Sequence, residues 1–210
     1  MLSRGFTLLE VLITLAVLVF GLLGLAGLMA KGQRASFEAF QRQQALSLAA
    51  DIAERMRSNS ALATEYAAAA PIAAPVGSGA RFAQIGTGIS NCGNDPCTPA
   101  ETAAYDVALW DGALSGAGEP DAKGSTRVGA IVRASGCIAP SGAVVGACPA
   151  APAAPAGRFF VGQRYTVSVA WQGRDASGAP ANATCGAGRH GDESLRRIVT
   201  LDVMVRVPCP

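Results

Sequence analysis

The chain has 210 residues, enough for one domain beyond a membrane segment. Apolar residues make up 50% of it but aromatics only 6%, so the core is expected to be modest for the length. A net charge of +2 leaves no electrostatic footprint for bulk nucleic-acid binding.

Residues 5–29 read GFTLLEVLITLAVLVFGLLGLAGLM. A run of about 25 mostly apolar residues is long enough to span a bilayer. It carries one acidic residue, Glu10, and an ionisable group inside such a run costs roughly 2.5–3.5 kcal/mol on insertion scales. The default expectation is therefore a functional partner for that carboxylate. Residues 1–5 form a short leader with one basic residue, Arg4. An ordinary secretory signal has a shorter apolar region and an A-x-A-like cleavage site. This run is too long, and Leu28, Met29 and Ala30 make a poor cleavage site. A plain membrane anchor accounts for the length but not for Glu10. Arg4 lies on one side of the run and Lys31 and Arg34 on the other, so charge counting does not set the orientation.

The order Gly5-Phe6-Thr7-Leu8-Leu9-Glu10, followed by the apolar run, resembles the N-terminus of type IV prepilins. The resemblance implies that prepilin peptidase cuts between Gly5 and Phe6 and that Phe6 is then N-methylated. Gly5, lacking a Cβ, lets a peptidase approach the backbone. Glu10 would lie one turn from the new ammonium group and pair with the N-terminus of a neighbouring subunit. A buried charge left without its partner is costly, which agrees with that role. Thr7 is expected to bond back along the helix. The implied partners are other major and minor pilins, prepilin peptidase, an inner-membrane pilus assembly platform, and membrane lipid before assembly. The implied location is the inner membrane, with a single pass and a periplasmic C-terminal domain, and then the extracellular pilus. Gly21, Gly24 and Gly27 read either as sites of close helix approach or as ordinary membrane-helix glycines.

The helical pattern continues past the apolar run. Phe37, Phe40, Leu48, Ile52 and Met56 recur near a 3.6 period, with Gln41, Gln43, Asp51, Glu54, Arg55 and Arg57 on other faces. This predicts one helix over 6–58, about 80 Å long. The expected segments are a leader (1–5), a transmembrane or pilus-core half (6–30), an amphipathic half (31–60) and a globular part (61–210). Residues 61–80 are rich in Ala, Pro and Gly, and Pro71 and Pro75 forbid a continuous helix, so this stretch reads as a connector.

The globular part holds all six cysteines: Cys92, Cys97, Cys137, Cys148, Cys185 and Cys209. An even number behind an export-type segment reads as disulfides made in an oxidising compartment; buried free thiols are the plain alternative. Nearness in sequence favours Cys92–Cys97, Cys137–Cys148 and Cys185–Cys209. A metal site using Cys92, Cys97 or Asp95 lacks the second Cys pair that zinc usually takes. Thr98 and Glu101 make a capping box, with Pro99 at the first helical position. Ala103, Val107, Trp110 and Leu114 then mark one face of a helix, with Trp110 as core. This cysteine-capped helix resembles that of the pilus-modification minor pilins. Strands are expected at 127–134, at 164–171 with Tyr165, Val167, Val169 and Trp171 on one face, and at 196–207 with Val199, Leu201, Val203, Val205 and Val207 on one face. Strict alternation means antiparallel strands with one wet face. Residues 138–157 read as a flexible Pro/Ala/Gly loop.

A helix followed by strands gives α+β, here a pilin-like fold: a long N-terminal helix packed on a small, disulfide-stabilised antiparallel sheet. No catalytic constellation is visible. His190, the only histidine, reads as an exposed loop residue, and no cofactor or metal is expected. The function implied is that of a minor pilin in type IV pilus assembly or initiation, or at the pilus tip. A type II secretion pseudopilin is one alternative, although Asp95, Glu119, Asp121, Asp175, Asp192 and Glu193 form no calcium-type cluster. A pilus-borne adhesin or DNA-binding module is the other, with Arg158, Arg164, Arg174, Arg189, Arg196 and Arg197 as a candidate basic patch.

Overall fold

Helix α1 (Leu8–Ser58) is continuous from the apolar run into the polar sequence beyond it. The computed structural model describes residues 7–117, 131–142, 144, 146, 160–181 and 183–208, with the backbone alone of Phe160, Val207 and Pro208. Contacts divide the chain into two units, residues 1–40 and 41–210.

In the first unit every side chain from Thr7 to Phe37 is exposed. A helix apolar on all sides has no wet face to present, so it suits lipid or other apolar helices rather than water. Among the described residues α1 is the one helix long and apolar enough to cross a membrane.

The second unit begins within α1. Gln41, Ala45, Ala49, Ile52, Ala53 and Met56 are its buried residues. Of the apolar face expected from periodicity, Ile52 and Met56 are buried and Leu48 packs at the edge of the core, but Phe37 and Phe40 are exposed. The alanines explain the difference. Their small side chains let the helix backbone come close to its neighbours, which a row of aromatic rings would hold off. A turn at Ser60–Leu62 leads into α2 (Ala63–Ala69). The connector expected over 61–80 is therefore partly helical, and its Tyr66 is fully buried. Pro71 keeps α2 short, and a nearly all-alanine helix carries little periodic signal.

α3 (Pro99–Ser115) has the expected start. The Thr98 side chain accepts from the Glu101 N–H, Glu101 reaches back to the Thr98 N–H, and Gly116 ends the helix in the left-handed conformation. Ala103, Val107, Trp110 and Leu114 are all buried. Trp110 Nε1 donates to the Leu48 carbonyl of α1 at 2.9 Å.

The sheet is antiparallel, in the order β1 (Ser135–Pro140), β2 (Phe160–Gln172), β3 (Arg196–Pro208). Val167 stands opposite Ile138 on one side and Leu201 on the other; Tyr165 faces Val203 and Val169 faces Val199. This row joins α1, α2 and α3 in one core. The expected strand at 127–134 is not found there: residues 131–134 are non-strand, and 127–130 lie outside the described residues. Arg133 has a φ of 51°, which interrupts an extended chain. The strand starts two residues later and includes Ile138–Pro140, the beginning of the expected loop. Gly136 sits in that strand because a Cβ there would come within 2.6 Å of the Trp110 ring.

Candidate assembly site

The cleavage and methylation positions, Gly5 and Phe6, lie outside the described residues. Thr7 stands just before the first turn of α1. Its Oγ1 accepts from the Glu10 N–H at 3.3 Å, and its carbonyl accepts from Glu10 and Val11 at 3.1 and 3.3 Å. Thr7 thus bonds forward to Glu10 as a helix cap; it is Thr14 whose hydroxyl bonds back, to the Val11 carbonyl. The cap was legible as Thr-x-x-Glu ahead of an apolar run. Glu10 is exposed in the first turn, where a negative charge complements the positive end of the helix dipole. The arrangement offers one carboxylate at the start of a helix whose following surface, as far as Ala30, is apolar apart from Thr14. Its chemistry is ion pairing and helix association.

The second unit is held by a few buried polar groups that periodicity does not show. Asp106 of α3 accepts from Arg55 Nη1 of α1 at 2.8 Å and from the Tyr66 hydroxyl of α2. Burial first, then the bond to Asp106, holds the Tyr66 hydroxyl's pKa above the ordinary phenol value. Asp111, 1% exposed, accepts from the backbone N–H groups of Gly77, Gly79, Arg81 and Phe82 at 2.5–3.3 Å. One carboxylate therefore fastens the loop between α2 and α3.

Two disulfides are seen among the described residues. Cys92–Cys97 closes a short ring immediately before the Thr98 cap, with Asp95 exposed on it. Cys137 pairs with Cys185, across 48 positions, which corrects the expected Cys137–Cys148 and Cys185–Cys209 bridges. Cys148 and Cys209 lie outside the described residues. The register gives the reason. Cys137 stands opposite Ser168, in the row that faces away from the core. Segment 183–195 crosses that face and places the Cys185 sulfur 3.5 and 3.7 Å from the Ser135 and Ser168 carbonyls. Loop closure depends only weakly on length, so nearness in sequence was a poor guide. Ala170, on the face expected to be wet, is also buried.

His190 lies in this segment and is fully buried, not exposed. Its ring nitrogens each lie 2.9 Å from a carbonyl oxygen, of Gly186 and of Arg133. Arg196, 4% exposed, donates to Glu193 and to the Ala183 and Cys185 carbonyls. Arg189 and Arg197 also donate to backbone carbonyls. Three members of the candidate basic patch thus brace the fold, and Arg158 lies outside the described residues. Among the described residues no group of three or more His, Cys, Asp or Glu side chains could hold a metal ion.

An apolar N-terminal helix followed by a small antiparallel sheet with disulfides is an α+β pilin fold. Residues 1–26 match the family model described as the prokaryotic N-terminal methylation motif, and residues 28–108 match the Tt1218-like model, described as type IV pilin Tt1218. Together they support a type IV pilin, a structural rather than an enzymatic class. No curated protein matches the chain, and no solved structure does.

Proposed function

We propose that this chain is a minor pilin of the type IV pilus, of the PilV pilus-modification type. It is made as an inner-membrane precursor with a periplasmic C-terminal unit. Prepilin peptidase cuts it after Gly5, and Phe6 is methylated. It then joins other pilins, in pilus initiation or at the tip, through α1. The observation that carries this reading is the match of residues 1–26 to the methylation motif, together with the wholly exposed apolar surface that follows Glu10. The lone carboxylate fits pairing with a neighbour's N-terminal ammonium, which would offset its cost in an apolar setting. The cysteine ring ahead of α3, and the Tyr105, Asp106, Trp110 and Leu114 pattern within it, favour the PilV type.

The test is the N-terminal mass of the protein recovered from cells. A chain starting at N-methyl-Phe6 is expected. An uncut Met1 or a cut near Ala30 would overturn the proposal. Glu10→Ala is expected to leave the precursor in the membrane but to reduce its recovery in sheared pili at least tenfold, roughly the loss of a 1.4 kcal/mol pairing. Piliation of a deletion strain separates this reading from a type II secretion pseudopilin.

A further inference from the structure

We infer that Phe37 and Phe40 form an assembly contact of α1 beyond its membrane-length run, and that the α1 helix of a neighbouring pilin covers them in the fibre. The contact deepens the pilin reading above and rests on it.

Periodicity marks both rings as core, yet Phe37 is 39% and Phe40 62% exposed. Three positions apart, they are neighbours on the helix surface. The side chains between and just before them, Gln33, Ser36, Glu38 and Ala39, are polar or small. A pair of aromatic rings carries a large apolar area, and its removal from water is favourable.

Depth decides against lipid as the cover. Leu8–Ala30 is about 34 Å of helix, already longer than the roughly 30 Å hydrocarbon core of a bilayer. Lys31 and Arg34 follow at once, and cations at the end of a span keep their heads among the polar groups of the membrane. That polar layer adds about 5–8 Å on each side. Phe40 lies about 15 Å past Ala30 along the axis. Even with its ring leaning one turn back towards the N-terminus, it stands about 10 Å out and clears the layer. Lipid therefore covers the apolar run of the precursor but leaves Phe40 in water.

Continuity of the helix selects the occupant. α1 is unbroken from Leu8 to Ser58. A neighbouring helix laid along the apolar surface of 8–30, as assembly through α1 requires, needs only about three more turns to reach Phe40. The face it brings to that level is apolar.

The full-length protein is produced in piliated cells as the native chain, Phe40→Ser and Phe40→Leu. Four quantities are read for each: N-terminal mass, amount in the membrane, recovery in sheared pili, and melting temperature in detergent. Phe40→Ser is expected to be processed and held in the membrane like the native chain and to melt within about 2 °C of it. Its recovery in pili is expected to fall about tenfold, as on loss of an anchoring aromatic. Phe40→Leu, which keeps an apolar side chain, is expected to regain most of that loss. Equal recovery of Phe40→Ser and the native chain overturns the contact. A melting temperature that falls together with recovery also overturns it, because the ring would then be covered by its own chain. Lipid is tested with Phe40→Cys in inner-membrane vesicles and a water-soluble maleimide. Modification as fast as at Gln43→Cys is expected, and protection would mean that lipid covers the site. A native chain absent from sheared pili overturns the pilin reading and the contact with it. A native chain that assembles no better than Phe40→Ser overturns the contact alone.

Discussion

Asp111 accepts from four backbone amides that α3 itself does not supply. Replacing it with alanine leaves those donors facing a cavity, and each unsatisfied buried donor costs about 1–3 kcal/mol. Since water can reach part of the loop, the expected loss for Asp111→Ala is about 3 kcal/mol, read as a lower urea midpoint at unchanged slope. Glu101 carries a pH dependence of its own. Hydrogen bonds from Ser90 and then Thr98 pull its carboxyl down to about 2 from an ordinary 4.5. The ionised cap is therefore fully stabilising above pH 4.5 and is lost as the pH falls towards 2. Urea midpoints of the native chain and Glu101→Gln should differ at pH 6 and converge near pH 2; a gap that stays constant would contradict this. Neither Asp106 nor Asp111 was visible as core in the sequence. Buried acids hide on faces that periodicity marks as polar, and only their partners reveal them.

Among the elements, α3 was the most legible, because capping chemistry and apolar spacing agree there. β2 and β3 were legible through strict alternation. α1 was legible as a helix but not in its packing: Phe37 and Phe40 read as core, whereas Ala45, Ala49 and Ala53 occupy it. Hydrophobic pattern rewards large side chains, but a close helix contact needs small ones. Two substitutions separate these cases. Ala49→Leu should overpack the core and cost roughly 1–3 kcal/mol. Phe40→Ala should change stability by no more than about 0.5 kcal/mol, as exposed positions do. Paired denaturation curves on the full chain decide it, and equal losses would mean that the aromatic face is the buried one. β1 was misplaced because Arg133, which is left-handed, reads as a strand residue in sequence, whereas Gly136 and Pro140, which belong to the strand, read as turn residues.

For the whole molecule, the α+β class and the N-terminal signature could be read directly, and each rests on local pattern. The Cys137–Cys185 link and the covered outer face could not be, since both follow from where a distant segment crosses the sheet. The roles of Gly5 and Phe6 were named from resemblance alone, whereas Glu10 also stood out as a lone acid in an apolar run; only Glu10 and its Thr7 cap lie within the described residues. The Asp111 clasp also bears on protein engineering. The chain is pinned at residues 77–82 by that carboxylate and again at Thr98 by the α3 cap, just after the Cys92–Cys97 ring. Between these anchors Gly86, Thr87 and Gly88 are exposed. An affinity tag spliced between Thr87 and Gly88 should leave the urea midpoint within about 0.5 kcal/mol of the native value, since longer surface loops add little closure entropy. That position would put a label on the C-terminal unit while leaving both termini as the cell makes them.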